Sequence, residues 1–382
     1  MEKLMNSSVE LEQEAKLDFS DEGFNEDAVV SDEIPKEERN LRTQAYDKSI
    51  SDVVTMMRAG DIVLDPDYQR NYIWDNKKAS LLIESILLNV PIPIIYVSEE
   101  EDSTWSAIDG LQRLNSLLRF FNGEFRLTGL EVLRELNGCV YSKLNPKASR
   151  ILRNGILRII LIFKESHPEI KYEIFMRLNR GAIQLNEQEL RNCLYRGEVN
   201  NLLKELRENP KFLQMVGLSK PHKRMIDAEI ILRYFTISES YDAHAGELKN
   251  YTGQVKRSLN KYLESKKHIL PGEVNHLRQK FSATVEKVYD VFGAEAFQKI
   301  NTDNSIDPRL NRAIMDFVMV SFEHIDRHIL VQHKDEIKHL LRELPVQDSA
   351  FNDAISVGTS DRKKLEYRLN KWNEELTRLI RQ

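Results

Sequence analysis

Two Gln-Arg pairs, Gln69-Arg70 in PDYQRNYIW and Gln112-Arg113 in IDGLQRLNSLL, each sit beside a turn signal. An amide and a guanidinium next to a flexible backbone can hold and orient a phosphate group. Arg113 poses the sharper question. The apolar spacing of Leu111, Leu114, Leu117, Leu118 and Phe121 starts a helix just after Asp109-Gly110, so Arg113 falls in its first turn, where the macrodipole disfavours a cation. Asp109 can cap that helix, with Gln112 reaching back to its N–H as in a capping box. This capping accounts for Asp109, Gly110 and Gln112, but not for Arg113. Either an anion is bound where free helix N–H groups, Gly110 and Arg113 converge, or Arg113 pairs with a carboxylate. In the other segment, Tyr72 and Trp74 are expected as core aromatics of an edge strand, or, with Tyr68, as rings that stack a base beside Arg70.

Elements that could position these groups follow from periodicity. A helix is expected over 48–59, ended by Gly60, then a short strand over 62–65. Residues 76–88 carry one apolar stripe, Ala79, Leu82, Ile83, Ile86 and Leu87. IIYV, the polar turn EEEDST and WSAI read as paired strands, and GILRIILIF, 155–163, as a further buried strand. After Pro168 the pattern is helical, with a capping box at Asn186–Glu189 and helices expected over 226–240, 274–292, 309–326 and 361–381. The fold class is α+β: a small mixed α/β domain over 42–165, then an all-α helical domain over 166–382. Residues 1–41 are expected to be an acidic, disordered tail.

Charge distribution sharpens this division. The formal net charge of −5 contains −9 from residues 1–33, which leaves a mildly basic body of +4. The tail reads as a solubility segment or as an anionic mimic competing with nucleic acid for a basic groove. Residues 249–281 hold eight Lys or Arg against two acids, and Lys256, Arg257, Lys261, Lys266 and Lys267 are candidate nucleic-acid contacts. Residues 143–158 add five basic residues with no acid. Cys139 and Cys193 form no CxxC pair, and no apolar run reaches membrane-spanning length, so a cytoplasmic protein is expected. His324 and His328, four apart on one expected amphipathic helix, lack a third ligand, and no metal site is expected there.

PDYQRNYIWD, LLIESILLNVPIPIIYV, IDGLQRLNSLL and FMRLNRGAIQLNEQELRN together resemble, in order, the boxes of the ParB-like, sulfiredoxin-fold N-terminal domain of GmrSD-type restriction proteins. The resemblance covers roughly 48–195 and implies nucleotide hydrolysis or nucleic-acid processing in prokaryotic defence. The family signature Asp-Gly-Gln-Gln-Arg maps onto Asp109, Gly110, Leu111, Gln112 and Arg113, with Leu111 standing where the family has Gln. Through it, Asp109, Gln112, Arg113, Gln69 and Arg70 are catalytic candidates. Gly110, Arg113, Arg70, Arg177 and Asn179 are phosphate-binding candidates. Many relatives end in an HNH nuclease domain, for which no counterpart is visible here.

The expected function is a nucleotide-binding or hydrolysing, DNA-associated component of a restriction or anti-phage system. A nucleoside triphosphate would be substrate or effector, and Mg²⁺ the natural ion for phosphates and one carboxylate. DNA is the expected partner, with a separate nuclease subunit and self-association left open. A metal-dependent nicking nuclease and a non-catalytic binding protein remain as rivals, the latter favoured by Leu111.

Overall fold

The computed structural model describes residues 41–64, 74–178, 186–251, 253–300 and 306–381. They form an α+β protein of two units, one containing the described residues up to 178 and the other those from 186 onward.

In the first unit, strands β1 (Thr43–Ser49), β2 (Ile62–Val63), β3 (Ile95–Glu99), β4 (Trp105–Asp109) and β5 (Ile156–Ile162) make one sheet in the order β1-β5-β3-β4-β2. The sheet is mixed: β1 with β5 and β3 with β4 are antiparallel, β5 with β3 and β2 with β4 parallel. EEEDST is the β3–β4 turn, pinned by Asp102 Oδ1, which accepts from the Thr104 N–H at 3.0 Å and its hydroxyl at 2.7 Å. Strand β1 has no place in the sequence reading. Its side chains are mostly exposed, so no hydrophobic alternation marks it; pairing with β5 over seven residues holds it. Arg158 on β5 clamps Asp47 across that pair at 2.9 and 2.8 Å.

Helices α1 (Ile50–Ala59), α2 (Asn76–Leu87), α3 (Leu111–Phe121), α4 (Pro146–Asn154) and α5 (Pro168–Leu178) complete this unit. Local chemistry sets their ends. Ser49 accepts from the Asp52 N–H to start α1, and Gly60, at φ +86°, closes it with its N–H on the Met56 and Met57 carbonyls. Asp75 caps α2 through the Lys78 N–H. Asn145 with Pro146 at the first position starts α4, whose apolar face is only Ala148 and Leu152, too short for periodicity to reveal. Ile50, Val53, Ile83, Ile86, Leu114, Leu117 and Phe120 from the helices join Ile95, Val97, Leu157, Ile159 and Leu161 of the sheet in one core. Inside it Glu84 of α2 accepts from the N–H groups of Glu131 at 3.3 Å, Val132 at 2.9 Å and Leu133 at 2.8 Å. Burial alone would raise its pKa, but these three donors together hold the carboxyl below its ordinary value.

The second unit contains α6 (Glu187–Leu194), α7 (Glu198–Leu206), α8 (Pro210–Met215), α9 (Ile226–Ser240), α10 (Val255–Ser265), α11 (Pro271–Phe292), α12 (Arg312–Glu323), α13 (Arg327–Gln332), α14 (Lys334–Gln347), α15 (Ser349–Ala354) and α16 (Arg362–Ile380). Two small hairpins are interposed, β6 (Tyr241–Asp242) with β7 (Glu247–Leu248) and β8 (Gln298–Ile300) with β9 (Ile306–Leu310). The capping box at Asn186 and Glu189 forms as the pattern dictates, with both reciprocal bonds present. Helices α9 and α12 are buried on nearly every side and pack together at the centre. Trp372 of α16, fully buried, meets Phe317 of α12 at a ring distance of 4.8 Å and donates its indole N–H to Ser321 Oγ at 3.0 Å.

The expected single helix through His324 and His328 is a correction. Helix α12 ends at Glu323, Asp326 opens α13 by accepting from the His328 N–H, and the two histidines fall on either side of that break. An amphipathic pattern continued across it, but a side-chain cap interrupts the backbone ladder.

Candidate functional site

The site is built where β4 runs into α3. Gly110 is the helix N-cap, at φ +96° in the left-handed region, and supplies no side-chain acceptor to the first turn. A Cβ here would lie 2.9 Å from Ile95 Cγ1 and 3.3 Å from Arg113 Nη2, so both backbone conformation and space demand glycine.

This corrects the expected cap. Asp109 is not the N-cap and Gln112 does not turn back to it: the left-handed Gly110 moves the cap one residue on. Asp109 Oδ2 instead accepts from Arg113 Nη2 at 2.7 Å. Arg113 Nη1 donates to the Pro93 carbonyl and, at 3.3 Å, to that of Ile94. Of the two accounts for Arg113, pairing with a carboxylate is the one the geometry realises. The cation is tolerated at the positive helix end because a carboxylate and two carbonyls surround it. The pair is asymmetric: the Arg113 side chain is 11% exposed and that of Asp109 47%. Asp109 Oδ1 has no hydrogen-bond partner among the described residues.

Gln112 Oε1 accepts from the Trp74 N–H at 3.4 Å. The end of the PDYQRNYIW segment is thereby brought to the first turn of α3, and Trp74 packs, half-buried, against the core. Gln69, Arg70, Tyr68, Tyr72 and Asn179 lie outside the described residues. Arg177, on α5, is exposed. Sequence reasoning missed the Pro93 and Ile94 carbonyls as partners of Arg113; a backbone acceptor twenty residues away leaves no mark in side-chain pattern.

The two basic stretches fare differently. Between 249 and 281, carboxylates meet Lys249 (Asp242, 2.7 Å), Lys256 (Glu187, 3.7 Å), Lys266 (Glu239, 2.9 Å), Arg278 (Glu205, 2.7 Å) and Lys280 (Glu323, 2.8 Å). Lys261 is exposed, while Arg257 and Lys267 are half-buried. On α4 and just before it, Lys143, Lys147, Arg150 and Arg153 are all exposed, and none meets a carboxylate among the described residues.

Among the described residues no group of three or more His, Cys, Asp or Glu could hold a metal ion, and no helix is long and apolar enough to cross a membrane. No curated protein and no solved structure shows significant similarity to the chain. A family model does match: residues 50–196 fit that of the GmrSD restriction endonuclease, N-terminal domain. The matched span contains the Asp109–Arg113 turn, the Trp74 segment and the Asn186 capping box. Over residues 50–196 the chain therefore carries a domain similar to the N-terminal domain of the GmrSD restriction endonuclease.

Proposed function

We infer that the α/β unit binds a nucleoside triphosphate at the N-terminal end of α3 and hydrolyses it, as part of a DNA-associated component of a prokaryotic restriction or anti-phage system. Asp109 carries this reading. Its carboxylate is half-exposed, one oxygen is fixed by Arg113, and the other stands open beside a helix start that Gly110 leaves without a side-chain cap. Backbone N–H groups at such a terminus favour phosphate oxygens. Arg113, tied to Asp109 and to two carbonyls, acts as a positioning residue that fixes the direction of the Asp109 carboxylate. Gln69 and Arg70 are proposed as a further phosphate contact on the family resemblance. Arg177 and Asn179 are carried by the family resemblance alone.

One open carboxylate oxygen, with no cage of His, Cys, Asp or Glu around it among the described residues, suits Mg²⁺, which keeps most of its waters and shares the rest of its shell with phosphates. Asp109 would hold it, and when bound it would offset the negative charge of the phosphate oxygens. The chain's own contribution is then placement and charge stabilisation, with no protein nucleophile. A non-catalytic binding protein is the second reading, favoured by the internal engagement of Arg113 and by Leu111 at the position of the family's Gln.

The test incubates the purified chain with each nucleoside triphosphate and Mg²⁺, with and without DNA, beside Asp109→Asn. Turnover by the wild type that falls on the order of 100-fold in Asp109→Asn, with the melting temperature nearly unchanged, is expected. DNA nicking without any triphosphate would make the site a nuclease. DNA binding with neither turnover nor nicking would leave the binding protein.

A further inference from the structure

The basic stretch that matters is not the one with the greater number of cations. In α10 and its surroundings five of eight Lys or Arg already have carboxylate partners, so little unbalanced charge is offered to a ligand. Helix α4 is the opposite. Lys147, Arg150 and Arg153 recur at three-residue intervals, so they share one side of the helix, and Lys143 precedes them. All four are exposed, the helix has no acid in its first turn, and among the described residues their one tie runs from Arg150 Nε to the Pro146 carbonyl at 3.4 Å. Exposed Ile151, 37% accessible, stands among them, while Ala148 and Leu152 anchor the other side.

Helix stability accounts for Arg153, a cation in the last turn, but not for Lys147. Lys147 sits in the first turn, where the macrodipole disfavours a cation, and no carboxylate among the described residues offsets it. From Lys147 to Arg153 the helix rises about 9 Å, which spans between two and three phosphates of a strand at about 3.4 Å of axial rise each. A row of uncompensated cations on a rigid, anchored helix fits a polyanion of regular spacing.

We propose that the exposed face of α4, with Lys143, Lys147, Arg150 and Arg153, is the surface on which this protein contacts the phosphate backbone of duplex DNA, and that α10 is not. The proposal rests on the reading of the protein as DNA-associated. Contact is to phosphates, so it is independent of sequence and weakens steeply with salt.

The test measures binding of the full chain to a fluorescent DNA duplex across a salt series, for the wild type, for Lys147→Glu/Arg150→Glu/Arg153→Glu, and for Lys256→Glu/Lys261→Glu/Lys267→Glu. Triphosphate turnover without DNA and the melting temperature are recorded for each. The α4 variant is expected to bind at least tenfold more weakly, with the slope of log K against log salt smaller by about 2 to 3, roughly one per lost phosphate contact. Its DNA-free turnover and its melting temperature stay at wild-type values. The α10 variant keeps the wild-type slope. Wild-type binding with an unchanged slope in the α4 variant overturns this inference and leaves the DNA-associated reading standing, whereas absence of any wild-type binding removes both. A parallel deletion of residues 1–33 covers the rival occupant. If the α4 substitutions alter only the effect of that deletion, with DNA binding by the full chain unchanged, the face binds the chain's own acidic segment and the inference fails.

Discussion

In the helical unit Asp316 lies between Arg233 and Arg368, with all three side chains out of solvent, whereas in the α/β unit Asp109 shares Arg113 across a contact half open to water. Arg233 grips both oxygens of Asp316 at 2.8 Å, and Arg368 adds a further bond while donating to the Ala354 and Thr359 carbonyls. Burial pushes the Arg368 guanidinium below its usual value; Asp316 opposes that and Arg233 adds to it. Nothing the size of a ligand reaches such a cluster, so its chemistry is spent on joining α9, α12 and α16. Asp109 is held from one side only and presents the other. Similar residue types thus serve architecture in one unit and remain available for a ligand in the other, and burial is what separates the two uses.

That contrast breaks first, if it breaks, at Asp316. Asp316→Ala leaves two buried guanidinium groups facing each other and is expected to cost about 3–5 kcal/mol, against about 0–1 kcal/mol for Asp109→Ala at its half-exposed pair. Denaturant unfolding of both variants decides it, and equal costs would mean that the two pairs do the same work. Gly110→Ala is expected to be intermediate, on the order of 1–3 kcal/mol, because a Cβ would be forced into the left-handed region and against Ile95. The same unfolding experiment reads it, and a neutral result would show that the site turn relaxes without loss.

The smallest effect concerns the β6–β7 hairpin. There the Lys249 ammonium first, then the N–H groups of Ala245 and His244, hold the half-buried Asp242 carboxyl down to about 2, from an ordinary 3.8. A depressed carboxylate pKa stabilises the folded form above the ordinary value and loses that contribution as pH falls through the depressed one. The hairpin should therefore stay intact at pH 4 and lose this tie only as pH approaches 2. Following the Asp242 carboxyl resonance with pH checks this, and a midpoint near 4 would mean that Lys249 does not hold the carboxyl down.

Much of the fold was legible because it follows local rules. The 226–240 helix has the predicted limits, the Asn186–Glu189 capping box forms as written, and WSAI returns beside IIYV across its polar turn. Strand β1 and helix α4 escaped for a shared reason: neither carries enough apolar residues to show a period, and each depends on a partner element. At the site, the sequence singled out Asp109, Gly110, Gln112 and Arg113 as a group, and they do adjoin. The cap bonds expected of Asp109 and Gln112 do not form, since the left-handed turn at Gly110 shifts the cap, whereas the carboxylate pairing weighed for Arg113 does form and Asp109 supplies it.

Residue order alone determined the α+β composition, the position of the glycine turn and the identity of the groups placed around it, because period, capping and turn preferences act within a few residues of one another. Only the tertiary structure decided which charges are spent and which are left open. Pro93 and Ile94 reach Arg113, Trp74 reaches Gln112, and acids from other elements meet five of the eight cations around α10 while none among the described residues reaches α4. Those outcomes depend on distances between segments far apart in the chain, and electrostatic interaction follows distance in space, not separation in sequence.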